Sequence, residues 1–219
     1  MIKMVLTDGD GTLWEYKNEP FRSSWDALPD SFPLPLKERW FSTRDSFFKK
    51  PESSYSDWFR EQLEMLKGIS LESVEKILFP VPYSQGAREF FSALRKDVKR
   101  GIVSSGVSLV ADRAKDELKM DFAFSNILNS DKGVFTGEGE MVLDLESKGD
   151  FIRRLAKENK VKLSEVCFIG DDFNDLPALE IVGYPVSFKP KDERLKKFKV
   201  INDFIELNKI LEDGNKSIL

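Results

Sequence analysis

The chain has 219 residues, which at about 150 residues per domain allows one domain with an addition or two small domains. Its 41% hydrophobic content supports a buried core, and 34 basic against 38 acidic residues leave a net charge of −4, which argues against a nucleic-acid binder working through overall electrostatics. There is no histidine and one cysteine, Cys167, which excludes Ser-His-Asp and Cys-His catalysis, histidine-containing or multi-cysteine zinc sites and any intramolecular disulfide.

Ile2–Thr7 reads as a short buried strand that ends in the polar turn Asp8-Gly9-Asp10-Gly11-Thr12. The apolar start is too short for a secretory signal, whose apolar region runs to about 7–15 residues. No run of about 20 apolar residues predicts a membrane span, so a cytoplasmic protein is expected. From Trp14 to Pro82 the texture changes. All four tryptophans fall here, and helical spacing is predicted over Leu36–Phe48, Tyr55–Leu66 and Leu71–Leu78, closed by Pro80-Val81-Pro82.

Strand and helix then alternate. A helix is predicted over Ser84–Asp97, a strand over Gly101–Ser104, a helix over Val107–Lys119 and a strand over Phe122–Leu128. Val134–Leu143, with Gly137 and Gly139 in the middle, reads as a hairpin. Ser147–Lys160 reads as a helix capped by Ser147 with Asp150 three residues on. Val166–Ile169 is a buried strand, Asn174–Val182 a short helix, Pro185–Phe188 and Lys199–Ile201 short strands, and Asp203–Leu211 a last helix. The alternation predicts an α/β fold with a parallel sheet covered on both faces, and function in the loops at the carboxyl ends of its strands.

Four polar clusters occupy such loops: Asp8-Gly9-Asp10-Gly11-Thr12, Ser105-Gly106, Lys148, and Gly170-Asp171-Asp172-Phe173-Asn174-Asp175. Together they suit phosphoryl transfer. A carboxylate can attack phosphorus and leave again. Its repulsion by an anionic phosphate calls for a hard cation on oxygen ligands, which suits Mg²⁺. A hydroxyl, an ammonium and backbone amides can hold the equatorial oxygens, and a second carboxylate can move the proton. Ser104 is the neighbouring alternative to Ser105. Lys132, in Asp131-Lys132-Gly133, competes with Lys148, which is favoured because a helix leading to the Val166–Asp171 strand follows it.

In order and type these clusters resemble the haloacid dehalogenase superfamily, most closely its phosphoserine-phosphatase-like branch. The resemblance implies a Rossmann-like three-layer core (residues 1–14 and 83–219) and a helical cap inserted between the first two motifs (residues 15–82). It implies Asp8 as nucleophile and Asp10 as general acid/base, with Ser105, Gly106, Lys148 and Asn174 binding phosphate. Mg²⁺ would be held by Asp8, the Asp10 carbonyl, Asp171 and Asp175. Asp10 itself favours a phosphatase, or a phosphomutase, over a dehalogenase or an ATPase. A scaffold that keeps the pocket without turnover is the non-enzymatic alternative.

The expected partner is a small phosphorylated metabolite. Leu63-Glu64-Met65-Leu66-Lys67 resembles a stretch of phosphoserine phosphatases that an Arg precedes, where this chain has Gln62. Lys17 stands where those enzymes carry a Glu that meets the amino group. Both departures argue against phosphoserine, although Arg22, Arg44 or Arg60 could substitute. The aromatics of the insert, Phe21, Trp25, Trp40, Phe48 and Trp58 among them, read as a helical core, a wall over an apolar substrate moiety, or a dimer contact.

Overall fold

The strand Met4–Thr7 (β1) is buried along its whole length, as expected of an apolar run covered by helices on both sides. The computed structural model of the chain describes residues 1–16, 23–50 and 54–207. β1 lies mid-sheet with Lys99–Val107 (β2), Phe122–Asp131 (β3), Val134–Glu140 (β4), Val166–Gly170 (β5), Tyr184–Phe188 (β6) and Lys199–Ile201 (β7), in the order β4-β3-β2-β1-β5-β6-β7. Every neighbouring pair is parallel except β3 and β4.

Alternation along β1 feeds two apolar layers. Val5 joins Ile102, Cys167 and Ile169 on one face, while Met4 and Leu6 join Val103 and Phe168 on the other. Ala87–Ala93 and Ser108–Leu118 pack into the first layer, and Lys148–Glu158 and Leu176–Leu179 into the second. The result is the three-layer α/β core that the alternating pattern predicts.

Four helices fall between β1 and Ala87–Ala93: Ser24–Ala27 (α1), Leu34–Lys49 (α2), Tyr55–Leu66 (α3) and Leu71–Leu78 (α4). The helices above then become α5 to α8 in chain order. Trp25, Trp40 and Trp58 of the inserted helices belong to the same apolar cluster as β1 and β2. Residues 68–71 are also tied to the hairpin: Gly68 N–H donates to Phe135, Phe135 N–H to Ile69 and Leu71 N–H to Gly133. None of the described helices is long and apolar enough to cross a membrane.

Several local readings are corrected. The hairpin turns at Lys132-Gly133, not at Gly137 and Gly139, and Val134–Glu140 is its second strand. Lys132 (φ 48°) and Gly133 (φ 80°) supply the two left-handed positions of a type I′ turn, whose twist matches the flanking strands. Ser147 makes no cap bond; its hydroxyl accepts from Asp144 N–H, while Asp144 accepts from Ser147 N–H. α5 starts only at Ala87, because Ser84 turns its hydroxyl back to the Thr12 carbonyl at 2.6 Å. β2 runs on through Ser104–Gly106, with a register shift between Val103 and Val107. Phe173–Asp175 is a 3₁₀ turn, and α8 covers only Leu176–Leu179. Residues 204–207 begin the last helix. Lys17, Glu19, Phe21, Arg22 and the segment beyond 207 lie outside the described residues.

Candidate active site

Asp8 follows β1 directly, and its N–H continues the ladder to the Ile169 carbonyl at 2.8 Å. Asp8 is therefore fixed between two central strands at their carboxyl ends. The chain then folds back sharply. Leu13 N–H donates to the Gly9 carbonyl at 2.8 Å, and Gly11 sits at φ 83°. A side chain at Gly11 would collide with the Asp171 carboxylate and the Lys191 ammonium, so this turn admits only glycine.

Lys148 opens α7 with its side chain wholly buried. Its Nζ lies 2.7 Å from Asp8 Oδ1 and donates to Asp175 Oδ1 at 2.5 Å. Asp175 uses its other oxygen as a clasp, accepting from Asp171 N–H at 2.8 Å and Asp172 N–H at 3.2 Å. Thr12 Oγ1 donates to Asp171 Oδ1 at 2.8 Å, and Lys191 Nζ stands 2.6 Å from Asp171 Oδ2. Asp8, Asp171 and Asp175 thus present buried carboxylate oxygens within 4.8 Å of one another.

Three carboxylates against two ammoniums leave the cluster short of positive charge. Burial drives the Asp171 and Asp175 carboxyls well above the usual range, against the opposing pull of Lys191 and Lys148. Burial also works against the charge on Lys148, but Asp175 and Asp8 together outweigh it and its pKa is raised. Clustered hard oxygen donors that are costly to ionise together are the donor set a small divalent cation takes. The residues fit a metal site.

Asp10 lies apart from this cluster. Its carboxylate accepts from Trp14 Nε1 at 2.7 Å, Ser24 N–H at 2.6 Å and Ser24 Oγ at 2.7 Å. Burial outweighs these bonds and raises its pKa to about 6. Such a group gains and loses a proton near neutral pH, as an acid/base residue requires.

Ser104, Ser105, Gly106 and Asn174 line the same cavity, of about 360 Å³, as Asp8 and Asp10. Asn174 Nδ2 donates to Ser105 Oγ at 3.4 Å, while the buried Ser104 Oγ accepts from Gly106 N–H at 3.1 Å. Ser105 is the less buried of the two hydroxyls. A methyl group at Gly106 would lie 2.5 Å from Asp10 Oδ2, so the glycine lets β2 approach the acid. Lys132 sits in the hairpin turn, away from this cavity. Cys167 is buried in β5, its thiol pushed up to about 12 by burial, and it is a core residue.

The inserted helices contribute Trp25, Arg44, Phe48, Tyr55 and Trp58 to the cavity wall. Arg44 is paired at 2.7 Å with both Asp26 and Asp45. Arg60 is exposed beside Asp57. Gln62 is fully buried away from the cavity wall, its amide without a hydrogen-bond partner among the described residues. The aromatics therefore divide: Trp40 packs in the core, while Trp25 and Trp58 do so and also face the cavity.

Sequence reasoning missed Lys191, Asn126 and Ser24. Lys191 follows β6 at its carboxyl end, the signal that identified the other clusters. Asn126 donates to the Ser105 carbonyl at 3.0 Å and to Tyr55 Oη at 3.2 Å, and accepts from Val142 and Leu143 N–H. Nothing in its strand context marks it.

The arrangement defines a class: a three-layer α/β core whose acids gather at the carboxyl ends of parallel strands. A family model for haloacid dehalogenase-like hydrolases matches residues 2–183. A phosphoserine phosphatase of Lactococcus lactis is 32% identical over 142 residues, 64% of this chain and 66% of the relative. One of Methanocaldococcus jannaschii is 28% identical over 162 residues, 73% of this chain and 76% of the relative. The match to the phosphoserine phosphatase of Archaeoglobus fulgidus spans only 42% of that protein. Among solved structures, a phospho-aspartyl intermediate analogue of phosphoserine phosphatase superposes with a TM-score of 0.75 at 25% identity, over 95% of this chain and 98% of that one. A Salmonella enterica serovar Typhi family hydrolase gives a TM-score of 0.83 at 22% identity, over 96% of this chain and 71% of that one. The chain belongs to the haloacid dehalogenase-like hydrolases, on their phosphoserine-phosphatase-like branch.

Proposed function

We propose that the chain is a Mg²⁺-dependent phosphatase that hydrolyses a small phosphorylated metabolite through an aspartyl-phosphate on Asp8. The observation that carries this reading is the buried cluster of Asp8, Lys148, Asp171 and Asp175, which presents Asp8 and Asp171 to the cavity wall. The solved phosphatase with a phospho-aspartyl analogue supports the same route. In the first step an Asp8 carboxylate oxygen attacks phosphorus, the ester P–O bond breaks, and Asp10 gives its proton to the leaving alkoxide. In the second, Asp10 takes a proton from water, whose oxygen attacks phosphorus, releasing inorganic phosphate and restoring Asp8.

Lys148, the Ser105 hydroxyl, Gly106 N–H and Asn174 hold the phosphoryl oxygens as charge shifts between them. Asp8, the Asp10 carbonyl, Asp171 and Asp175 would hold Mg²⁺. When bound it offsets the repulsion between carboxylate and phosphate. Residues 15–82 act as a cap that excludes water and contacts the substrate, a role supported by Trp25, Phe48 and Trp58 on the cavity wall. The test is hydrolysis of 4-nitrophenyl phosphate by purified protein, with and without Mg²⁺. Turnover is expected only with the metal and is lost in Asp8→Asn; full activity of that variant overturns the mechanism.

A further inference from the structure

The acids, Ser105 and Asn174 share the cavity wall with five rings from four separate elements: α1, α2, α3 and the loop after β5. Trp25, Tyr55 and Trp58 form the inner part, with centroids 5.3 Å apart for Trp25–Trp58 and 5.2 Å for Tyr55–Trp58. Phe48 from the end of α2 and Phe173 from the loop after β5 complete it. These last two are 61% and 40% exposed. An exposed phenylalanine is unremarkable alone, but here two from distant segments border the same cavity, one from the inserted helices and one beside the catalytic acids.

The charged groups of this wall are already matched. Both amino groups of Arg44 are 2.7 Å from carboxylates, Asp26 and Asp45, and Asp26 also accepts from the Ser23 hydroxyl. A zwitterionic amino-acid moiety would have to break these pairs to be held. A flat ring would break none. Rings bind rings through offset or edge contacts that add to simple area burial, and about 360 Å³ is within the range of cavities that enclose ligands of that size.

We propose, resting on the phosphatase reading above, that the substrate is a phosphomonoester whose alcohol carries a planar aromatic or heteroaromatic ring, seated between Phe48, Phe173 and the Trp25–Tyr55–Trp58 wall. Arg44, paired with both Asp26 and Asp45, is not poised to meet the carboxylate of a phosphoamino acid. The ring selects the substrate, and the acids act on its phosphate.

The test compares kcat/KM for 2-phenylethyl phosphate, n-propyl phosphate and O-phospho-L-serine in Mg²⁺. The first two release similar primary alkoxides, so leaving-group chemistry does not separate them. Expected is a preference of at least tenfold for 2-phenylethyl over n-propyl phosphate, with O-phosphoserine no better than n-propyl. Phe48→Ala combined with Phe173→Ala should reduce that ratio to threefold or less, and Phe173→Tyr should keep it. Both phenylalanines are exposed, so their truncation leaves the core intact, which thermal unfolding verifies. Turnover that Asp8→Asn abolishes, but with equal rates for the two alkyl esters or a preference for O-phosphoserine, overturns the ring assignment and leaves the phosphatase standing. No turnover of any of the three esters or of 4-nitrophenyl phosphate overturns the phosphatase reading and this one with it.

Discussion

Lys148 and Asp8 meet as an ion pair, 2.7 Å between Nζ and Oδ1, with the lysine side chain shut off from solvent. The same ammonium serves Asp175, so a single cation balances two buried acids. Lys148→Met removes it and leaves Asp8, Asp171 and Asp175 facing one another. A buried pair broken on one side costs about 3–5 kcal/mol. Urea unfolding at pH 7 in EDTA is expected to show that loss, and initial rates a drop of at least about 100-fold, the scale of losing one preorganised donor. Near wild-type stability would mean that the acids are neutral in the folded protein.

The same repulsion sets the response to metal. A ligand bound only by the folded state stabilises it, by about 2.7 kcal/mol at one hundred times its dissociation constant. The thermal midpoint is expected to rise on adding Mg²⁺ to EDTA-treated protein. Asp171→Asn should abolish that rise and raise the midpoint in EDTA, because it relieves one like-charge contact within the 4.8 Å cluster. Lys191→Met should tighten Mg²⁺ binding severalfold in calorimetry, since the ammonium 2.6 Å from Asp171 and the cation compete for the same oxygen. Unchanged affinity in that variant would show that Lys191 stands clear of the metal.

The grouping of Asp8, Asp171 and Asp175 was legible because a parallel sheet brings the ends of β1 and β5 together, and Lys148 because the helix it opens leads into β5. Strand and helix order followed from apolar periodicity. What escaped depended on contacts rather than pattern. The hairpin turn uses Lys132 at φ 48°, a residue that rarely accepts that backbone, whereas Gly137 and Gly139 looked the part and lie within β4. Ser147 resembled a helix cap but bonds backward to Asp144. Lys191 stood in a run of surface charge, and its partner is twenty residues away in sequence. Asn126 reads as one polar residue in a strand, and only the fold brings four hydrogen-bond partners around it.

Asp10 gives a pH signature. Its pKa is raised from 3.8 to about 6 by burial, so the folded state binds the proton more tightly than the unfolded chain. Its contribution to stability is therefore complete below about pH 4 and is lost as pH rises through about 6, a change of roughly 3 kcal/mol. Asp10→Asn cannot titrate. In EDTA, the stability of the variant relative to wild type is expected to increase by that amount between pH 4 and pH 7.5. A difference that stays flat across this window would show that Asp10 is not shielded from solvent.

The Ser105 carbonyl accepts from Trp25 Nε1 at 3.0 Å, Tyr55 Oη at 3.2 Å and Asn126 Nδ2 at 3.0 Å. Two of these donors belong to the inserted helices and one to β3, so this one carbonyl joins the inserted helices, the sheet and the proposed phosphate-binding residue. The donors are not equivalent. Tyr55→Phe removes one of three and leaves the carbonyl satisfied, at a cost of about 1 kcal/mol. Asn126→Ala also strips the acceptor from Val142 and Leu143 N–H, leaving buried donors unpaired at about 1–3 kcal/mol each. Chemical unfolding is expected to rank Asn126→Ala well below Tyr55→Phe. Kinetics should separate them in another way: Tyr55→Phe loosens the helices over the cavity and raises KM more than it lowers kcat, because the phosphoryl-holding groups stay in place. Equal losses of stability in the two variants would mean that the loop around Val142 and Leu143 finds other acceptors, and that Asn126 is only one donor among three.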